Sequence, residues 1–168
     1  MISKEASIVI NRPVEQVFAA MADAKNQPQW DPGLLEARLT PDGPVSVGTK
    51  ITEVRKFMGS TTVNTGQVIE FEPNVRITRK SVDSPMTVVG TLTFAPTPKG
   101  TKVSWRWDLQ FSGFFVLVGL LIAAAMKRGA ETNLRGLKDR LERHPRLKQM
   151  AKRIAAKLPG RQRTPATP

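Results

Sequence analysis

The stretch that decides the fold is residues 113–141, GFFVLVGLLIAAAMKRGAETNLRGLKDRL, which must be either a membrane span or a helix that covers an apolar surface. It opens with fourteen uncharged residues, fewer than the ~20 that a helix needs to cross a bilayer. The apolar spacing then continues into the charged half at intervals of three and four residues, the period of one helical face. The members of this stripe are Gly119, Ala123, Met126, Ala130, Leu134, Leu137 and Leu141. The spacing predicts an amphipathic helix whose first half is buried on all sides.

Charge is unevenly distributed along the 168 residues, whose net charge is +12. Residues 1–126 hold 13 Lys and Arg against 11 Asp and Glu, whereas residues 144–168 hold seven against none. The body is thus nearly neutral, and a nucleic-acid-binding domain more often carries a basic face on its body. If residues 113–141 spanned a membrane, the positive segment would have to cross it, against the positive-inside bias. We expect one domain over residues 1–143, a basic tail over residues 144–168, and no specific nucleic-acid partner.

The N-terminal sequence and the absence of cysteine narrow the protein class. Without cysteine there are no disulfides, thiolate metal ligands or cysteine nucleophile. The N-terminal MISKEASIVINRP has only a short apolar stretch after two charges, which is not the pattern of a signal peptide. We therefore expect a cytoplasmic protein.

Residues 6–111 predict a strand, a helix and six further strands. The first strand is predicted at 6–10, and apolar residues at i, i+3, i+4 and i+7 behind Pro13 predict a helix after it. The period then changes to two, and turn signals such as PDGP, EPN and TPKG separate the segments. These strands are predicted at 35–39, 49–57, 61–71, 75–82, 87–95 and 102–111. Their short connections favour an antiparallel meander.

The last predicted strand, KVSWRWDLQF at 102–111, shows the alternation most clearly. Its apolar side chains share one face, and polar side chains that include Arg106 and Asp108 share the other. One face of the sheet is therefore dry and the other wet. The long C-terminal helix is the element with enough apolar surface to cover the dry face. We predict an α+β fold in which a curved antiparallel sheet wraps around that helix.

Several segments resemble the START-like (SRPBCC) superfamily, in particular its polyketide cyclase/dehydrase and lipid-transport branch. They are INRPVEQVFAAMADAKNQPQWDP, VGTK followed by GQVIEFEPNVRIT, GTLTFAPTPKGTKVSWRW and NLRGLKDRLE, within about residues 5–143. The resemblance implies a helix-grip fold with a deep cavity between the sheet and the C-terminal helix. It also implies an apolar ligand such as a lipid, sterol or polyketide. Some members are enzymes and many only bind or carry, so the fold does not decide catalysis.

Few residues suit proton chemistry or metal binding. The chain has no Tyr, and its single histidine, His144, precedes Pro145, where the helix must end, so we expect it in solvent. This argues against a histidine metal cluster or a Ser-His-Asp triad in the cavity. We expect neither a metal nor a cofactor.

Three charged residues fall at strand positions that could face the core. If Ile51 and Ile77 point inward, so do Glu53, Arg55 and Arg79, and inward charges need partners or a polar ligand. They would then orient a ligand headgroup, or Glu53 and Arg79 would serve as acid/base candidates that enolise a carbonyl. The alternative is a β-bulge that turns all three into water. Because a one-residue slip exchanges the faces, the solvated alternative is favoured.

Further candidate ligand contacts are aromatic or small. Aromatic side chains on the dry face either line a pocket or fill a core. The small residues on the facing helix leave space, so both alternatives stay open. These candidates are Phe94, Trp105, Trp107, Phe111, Gly119 and Ala123. Trp30, in the turn-rich KNQPQWDPG, either covers the cavity mouth or plugs the base of the first helix, and the plug is favoured.

The tail carries its own pattern. Residues 146–158 have apolar residues at helical spacing and cations on the remaining face, as in helices that lie on anionic membrane surfaces. Packing of this segment on the domain is an equal alternative, because half of its stripe is alanine, and the residues beyond 159 read as disordered. The function we expect is binding or transport of a small hydrophobic ligand. A cyclase or dehydratase-type enzyme and a membrane-surface interaction module are the alternatives.

Overall fold

The computed structural model of the chain describes residues 1–82, 84, 86–111 and 115–143, with the side chains of the last range described from residue 118. The elements in chain order are β1 (Ile2–Ile10), α1 (Val14–Ala22), a 3-10 helix (Ala24–Gln29), β2 (Leu34–Thr40), β3 (Lys50–Phe57), β4 (Ser60–Glu72), β5 (Arg76–Val82), β6 (Met86–Thr97), β7 (Gly100–Phe111) and α2 (Phe115–Arg143). Each strand predicted between residues 6 and 111 is present, and so are the two helices of the domain. The 3-10 helix was not predicted.

The seven strands form one antiparallel sheet in the order β1-β7-β6-β5-β4-β3-β2. The predicted meander is confirmed, and β1 joins it beside β7. The pairing register shifts between Leu34 and Glu36 in β2 and between Val68 and Glu70 in β4. Such bulges bend a strand and increase its twist, which allows the sheet to curve.

The alternation predicted for β7 is confirmed. Trp105 and Trp107 are buried on the concave face. On the convex face, Arg106 Nη2 lies 3.0 Å from Asp108 Oδ1. Hydrogen bonds from Arg106 and then from Ser3 hold the pKa of Asp108 below its ordinary value. One face of the sheet thus carries the core, and the other carries solvated ion pairs.

Helix α2 packs against β1 and β7 through the predicted apolar stripe, in which Ala123 and Leu137 have no exposed surface. The expectation that its first half is buried on all sides is wrong, because Leu120 and Leu121 are 69% and 67% exposed. The helix lies on the sheet by one face, and at these two positions nothing in the described part of the chain covers the other. No helix within the described residues is long and apolar enough to cross a membrane.

Polar contacts attach the second half of α2 to β1 and to the segment after it. Lys138 Nζ donates a hydrogen bond of 2.8 Å to the carbonyl oxygen of Val9. Glu142 accepts from the backbone N–H of Asn11 at 2.8 Å, and its own carbonyl accepts from Arg12 at 2.9 Å. These bonds fix the C-terminal end of α2 beside the start of α1.

Helix α1 and the 3-10 helix cover one end of the concave face. Phe18 of α1 meets Phe71 and Phe94 edge to face, with ring centroids 5.6 and 5.2 Å apart. Trp30, directly after the 3-10 helix, is buried, and its carbonyl oxygen lies so close to α2 that a Cβ at Gly136 would be 2.6 Å away. Trp30 is therefore packed between the 3-10 helix and α2, and its role as plug or cover stays a prediction.

Candidate ligand-binding site

The concave face of β3, β5 and β6 changes from buried to half-buried along each strand. On β5, Ile77 is buried, whereas Arg79 and Ser81 are half-buried. On β6, Leu92 is buried, whereas Gly90 is half-buried. This change in burial follows from the position of the helices on the sheet. Helix α1 contacts β6 and β7 at the Phe94 end, and α2 lies along β1 and β7.

Within the part of the chain that the structure describes, this portion of the face is half-buried, and we call it the open groove. Its concave-face residues are Glu53, Arg55, Phe57, Arg79, Ser81, Val88 and Gly90.

Four charged side chains meet in the open groove and at its wall, and we call them the charged quartet: Asp31, Glu53, Arg55 and Arg79. Glu53 Oε1 accepts a hydrogen bond of 2.9 Å from Arg79 Nη1, and Glu53 Oε2 lies 3.6 Å from Arg55 Nη1. Arg55 Nη2 donates to Asp31 Oδ2 at 2.6 Å. The exposed fractions are 1% for Asp31, 13% for Glu53, 21% for Arg79 and 24% for Arg55. Negative and positive groups therefore alternate along one chain of contacts.

Asp31 is positioned by the segment around the 3-10 helix. Its carboxylate accepts from the backbone N–H of Gly33 at 3.1 Å and from Gln27 Nε2 at 3.4 Å. Gln27 is itself buried. Sequence analysis missed Asp31, although an inward arginine at position 55 requires a carboxylate partner, and that requirement was the available signal.

The solvated alternative for Glu53, Arg55 and Arg79 is wrong. A bulge was expected to turn these side chains outward, but the two register shifts lie in β2 and β4, and β3 and β5 carry none between these residues and the buried Ile51 and Ile77. Every second side chain of β3 and β5 therefore points to the same face as Ile51 and Ile77, and the three charged side chains meet on that face.

A glycine separates Arg79 from two tryptophans. The pairing register aligns Arg79 with Gly90 and Gly90 with Trp107, so the three lie in one row across β5, β6 and β7. A Cβ at Gly90 would lie 3.5 Å from Trp107 Cδ1 and 3.7 Å from Trp105 Nε1. Because Gly90 has no side chain, the two indoles lie within van der Waals distance of its Cβ position, and we call this position beside Arg79 the notch. Gly90 was also missed, although a glycine inside a strand often marks such a close approach.

The other predicted contacts belong to the core or to its margin. Phe94 packs on Phe18, and the Trp105 and Trp107 rings pack on each other with centroids 4.8 Å apart. The space expected at Gly119 is absent, because Phe111 fills it: a Cβ there would lie 2.9 Å from the Phe111 ring.

Ala123, the second small residue, has no exposed surface. The structure therefore does not bring Gly119 and Ala123 to a cavity wall.

The resemblance implies a deep cavity between the sheet and α2, whereas the described residues enclose a small hollow between the sheet and the segment around α1. Its volume is about 10 Å³, roughly one water molecule, and Arg79 is among its lining residues. A separate cleft of about 360 Å³ lies between β1 and α2, lined mostly by polar residues that include Glu5 and Arg135. None of the predicted contacts lines that cleft.

Some predictions concern residues outside the described ranges. His144 and the predicted basic helix at 146–158 lie there, so their positions stay predictions. Among the residues that the structure does describe, no three His, Cys, Asp or Glu side chains are grouped closely enough to hold a metal ion.

Solved structures with similar folds come from several bacteria. TTHA0849 from Thermus thermophilus has a TM-score of 0.71 at 20% identity, over 83% of this chain and 96% of that one. SA2116 from Staphylococcus aureus, a protein of unknown function, has a TM-score of 0.66 at 14% identity, over 90% and 96%. NE0264 from Nitrosomonas europaea has a TM-score of 0.65 at 16% identity, over 90% and 97%. At these identities the likeness concerns the fold.

Sequence comparisons give the family. No curated protein matches the chain. The family model described as polyketide cyclase / dehydrase and lipid transport matches residues 1–142, and its fold supports binding of hydrophobic ligands. This confirms the resemblance found in the sequence. The chain belongs to the polyketide cyclase/dehydrase and lipid transport family.

Proposed function

We propose that the protein binds or carries a small hydrophobic ligand whose apolar body lies along the open groove and whose polar end meets the charged quartet. The observation that carries this proposal is a set of ionised side chains on the half-buried part of the concave face, beside Gly90 and the apolar side chains of Phe57 and Val88. Ligand sites commonly combine apolar walls with a few placed polar groups. The bond from Arg79 to Glu53 uses one of the five N–H donors of the guanidinium group.

The size of the enclosed hollow determines where the ligand lies. At about 10 Å³ the hollow is far too small for a lipid or polyketide. The half-buried part of the face offers the remaining apolar surface, with Phe57, Val88 and the nearby Trp107 as walls. We therefore place the ligand in the open groove, with Gly90 at the point where it approaches the backbone.

The test is a change at Gly90. We expect Gly90→Leu to weaken binding of Nile red, an uncharged dye whose fluorescence reports apolar sites, by about tenfold, which is ~1.4 kcal/mol. The leucine fills the notch, whereas the Cβ of Gly90→Ala would meet Trp107 at an ordinary 3.5 Å and should change binding little.

The matched control is Gly129→Leu, because Gly129 is exposed on α2 with nothing within 4 Å of its Cβ position. Thermal unfolding of each variant confirms that it is folded. Unchanged dye binding by folded Gly90→Leu would contradict the proposed site.

A cyclase or dehydratase-type enzyme is the second candidate, and one observation favours it. Glu53 and Arg79 place a carboxylate 2.9 Å from a guanidinium group beside the notch, within reach of a bound carbonyl. Both oxygens of Glu53 already face guanidinium groups, which favours binding over catalysis. Native mass spectrometry of protein purified from its own host separates the two. A retained molecule that stays unchanged on incubation supports carriage, and its conversion supports catalysis.

The tail adds a partner to this proposal. Seven cations and no anions in residues 144–168 fit peripheral contact of the segment 146–158 with anionic membranes, from a protein located in the cytoplasm. The groove and the tail then act in sequence, the first holding an apolar molecule and the second bringing it to a lipid surface.

A further inference from the structure

We infer that the polar end of the ligand is uncharged, a hydroxyl or carbonyl group rather than a carboxylate or phosphate, and that Glu53 sets this selectivity. The inference rests on the proposed function and names the ligand class for the same site. Its basis is the charge balance of the quartet, in which the carboxylates of Asp31 and Glu53 match the guanidinium groups of Arg55 and Arg79.

The order of contacts leaves no cation without a carboxylate. Asp31 meets Arg55, Arg55 meets Glu53, and Glu53 meets Arg79, at 2.6, 3.6 and 2.9 Å. A ligand carboxylate that approached Arg79 would compete with Glu53 for the same guanidinium group. It would also add a negative charge to a half-buried site whose charges already cancel, where like charges repel strongly. A neutral oxygen can accept a hydrogen bond from Arg79 and leave the balance unchanged.

Charges elsewhere on the sheet are too distant or face away. Lys4 lies in the same row as Arg79, Gly90 and Trp107, three strands from Arg79 and two from Gly90, which is about 14 Å and about 10 Å at ~4.8 Å per strand. Lys56 and Lys80 are exposed at the alternate positions of β3 and β5, which face away from the groove. Among the described strand residues, the charges nearest to the notch are therefore those of the quartet.

The experiment compares two probes with the same alkyl chain, dodecan-1-ol and dodecanoate. Each displaces Nile red from the full-length protein at pH 8, below the solubility limit of dodecanol and the micelle concentration of dodecanoate. We expect the parent to bind dodecanol at least about tenfold more tightly than dodecanoate. Because a carboxylate also resists leaving water, the decisive arm is Glu53→Gln, which keeps the shape and removes one negative charge. This variant should bind dodecanoate about tenfold more tightly than the parent, with dodecanol changed less than about threefold.

Two further variants make the result specific. Arg79→Gln changes the balance in the opposite direction and should weaken dodecanoate binding further, so the sign remains testable should Glu53→Gln unfold. Glu36→Gln makes the same chemical change at an exposed pair with Arg38 and should alter neither probe.

A parent that prefers dodecanoate, or a folded Glu53→Gln variant with the parent's preference, overturns the inference while the groove survives as a site. Failure of Nile red and both probes to bind overturns the proposed function itself.

Discussion

The side chain of Asp31 is 1% exposed, and its charge is balanced by Arg55, whose Nη2 lies 2.6 Å from Asp31 Oδ2. Replacing it by asparagine keeps the shape and removes the charge, so Arg55, itself 24% exposed, loses its principal partner. We expect Asp31→Asn to lower the free energy of unfolding by about 2–3 kcal/mol, measured by urea denaturation. Removal of one partner of a shielded pair is costly because the remaining charge cannot recover full hydration.

The matched comparison is Lys25→Met at the Lys25–Asp42 pair, which is also 2.6 Å long but lies in solvent. Its unfolding midpoint should match that of the parent, because water screens exposed pairs. Equal loss of stability in the two variants would mean that burial does not govern the Asp31 pair.

At the residue scale, period-two spacing predicted three of the four members of the charged quartet as candidates but left their orientation open. The spacing fixes which residues share a face, whereas a single bulge decides which face that is. Asp31 escaped prediction because it reaches Arg55 from an irregular segment 24 residues away. Gly90 escaped because its importance lies in the tryptophans that surround it.

At the element scale, two glycines in α2 have opposite surroundings. A Cβ at Gly129 would meet nothing within 4 Å, whereas a Cβ at Gly136 would lie 2.6 Å from the carbonyl oxygen of Trp30. We expect Gly129→Ala to raise the free energy of unfolding by roughly 0.5–1 kcal/mol, because alanine loses less backbone entropy in a helix. Gly136→Ala should lower it by about 1–3 kcal/mol, since the helix must move away from Trp30.

Chemical denaturation of the two variants measures both changes against the parent, and the two serve as controls for each other because each makes the same substitution in one helix. Changes of the same sign would show that α2 is not seated closely on Trp30.

The apolar stripe of α2 was predictable from spacing, but the exposure of Leu120 and Leu121 was not. Periodicity reports the face of a helix that carries apolar residues at regular intervals. It does not report whether another element covers the remaining faces. These two leucines lie off the stripe, and the uninterrupted apolar letters around them suggested burial that the sheet does not provide.

At the scale of the whole molecule, we predict that the fold does not depend on the basic tail. The family match covers residues 1–142, whereas seven of the cations lie beyond residue 143. We expect a chain that ends at Arg143 to remain soluble without detergent and to keep its Nile red binding. We expect the full chain to sediment with phosphatidylglycerol vesicles and the shortened chain not to.

Phosphatidylcholine vesicles are the control for charge, and circular dichroism confirms folding. Equal sedimentation of the two chains would place membrane contact in the domain, and a need for detergent would restore the membrane-span interpretation of residues 113–141.

The overall fold was predictable because alternation, turn signals and the long helical stripe all point to one architecture. The size of the cavity was not, because it depends on how individual side chains pack. The Phe111 ring occupies the space beside Gly119. The spacing of these two residues in the sequence does not predict that contact. The small residues of α2 therefore predicted a cavity beside Gly119, where the Phe111 ring lies in the structure.

The bond between Lys138 and the carbonyl of Val9 has a consequence for self-association. Because β1 is the outermost strand on its side, its free margin is the natural place for a second copy to add a strand and begin aggregation. The Lys138 ammonium lies against that strand and already satisfies one of its carbonyl groups. An incoming strand at this position would have to displace the Lys138 ammonium group and push aside helix α2, which carries it. We therefore expect the contact that fastens α2 to disfavour the addition of a strand at this edge as well.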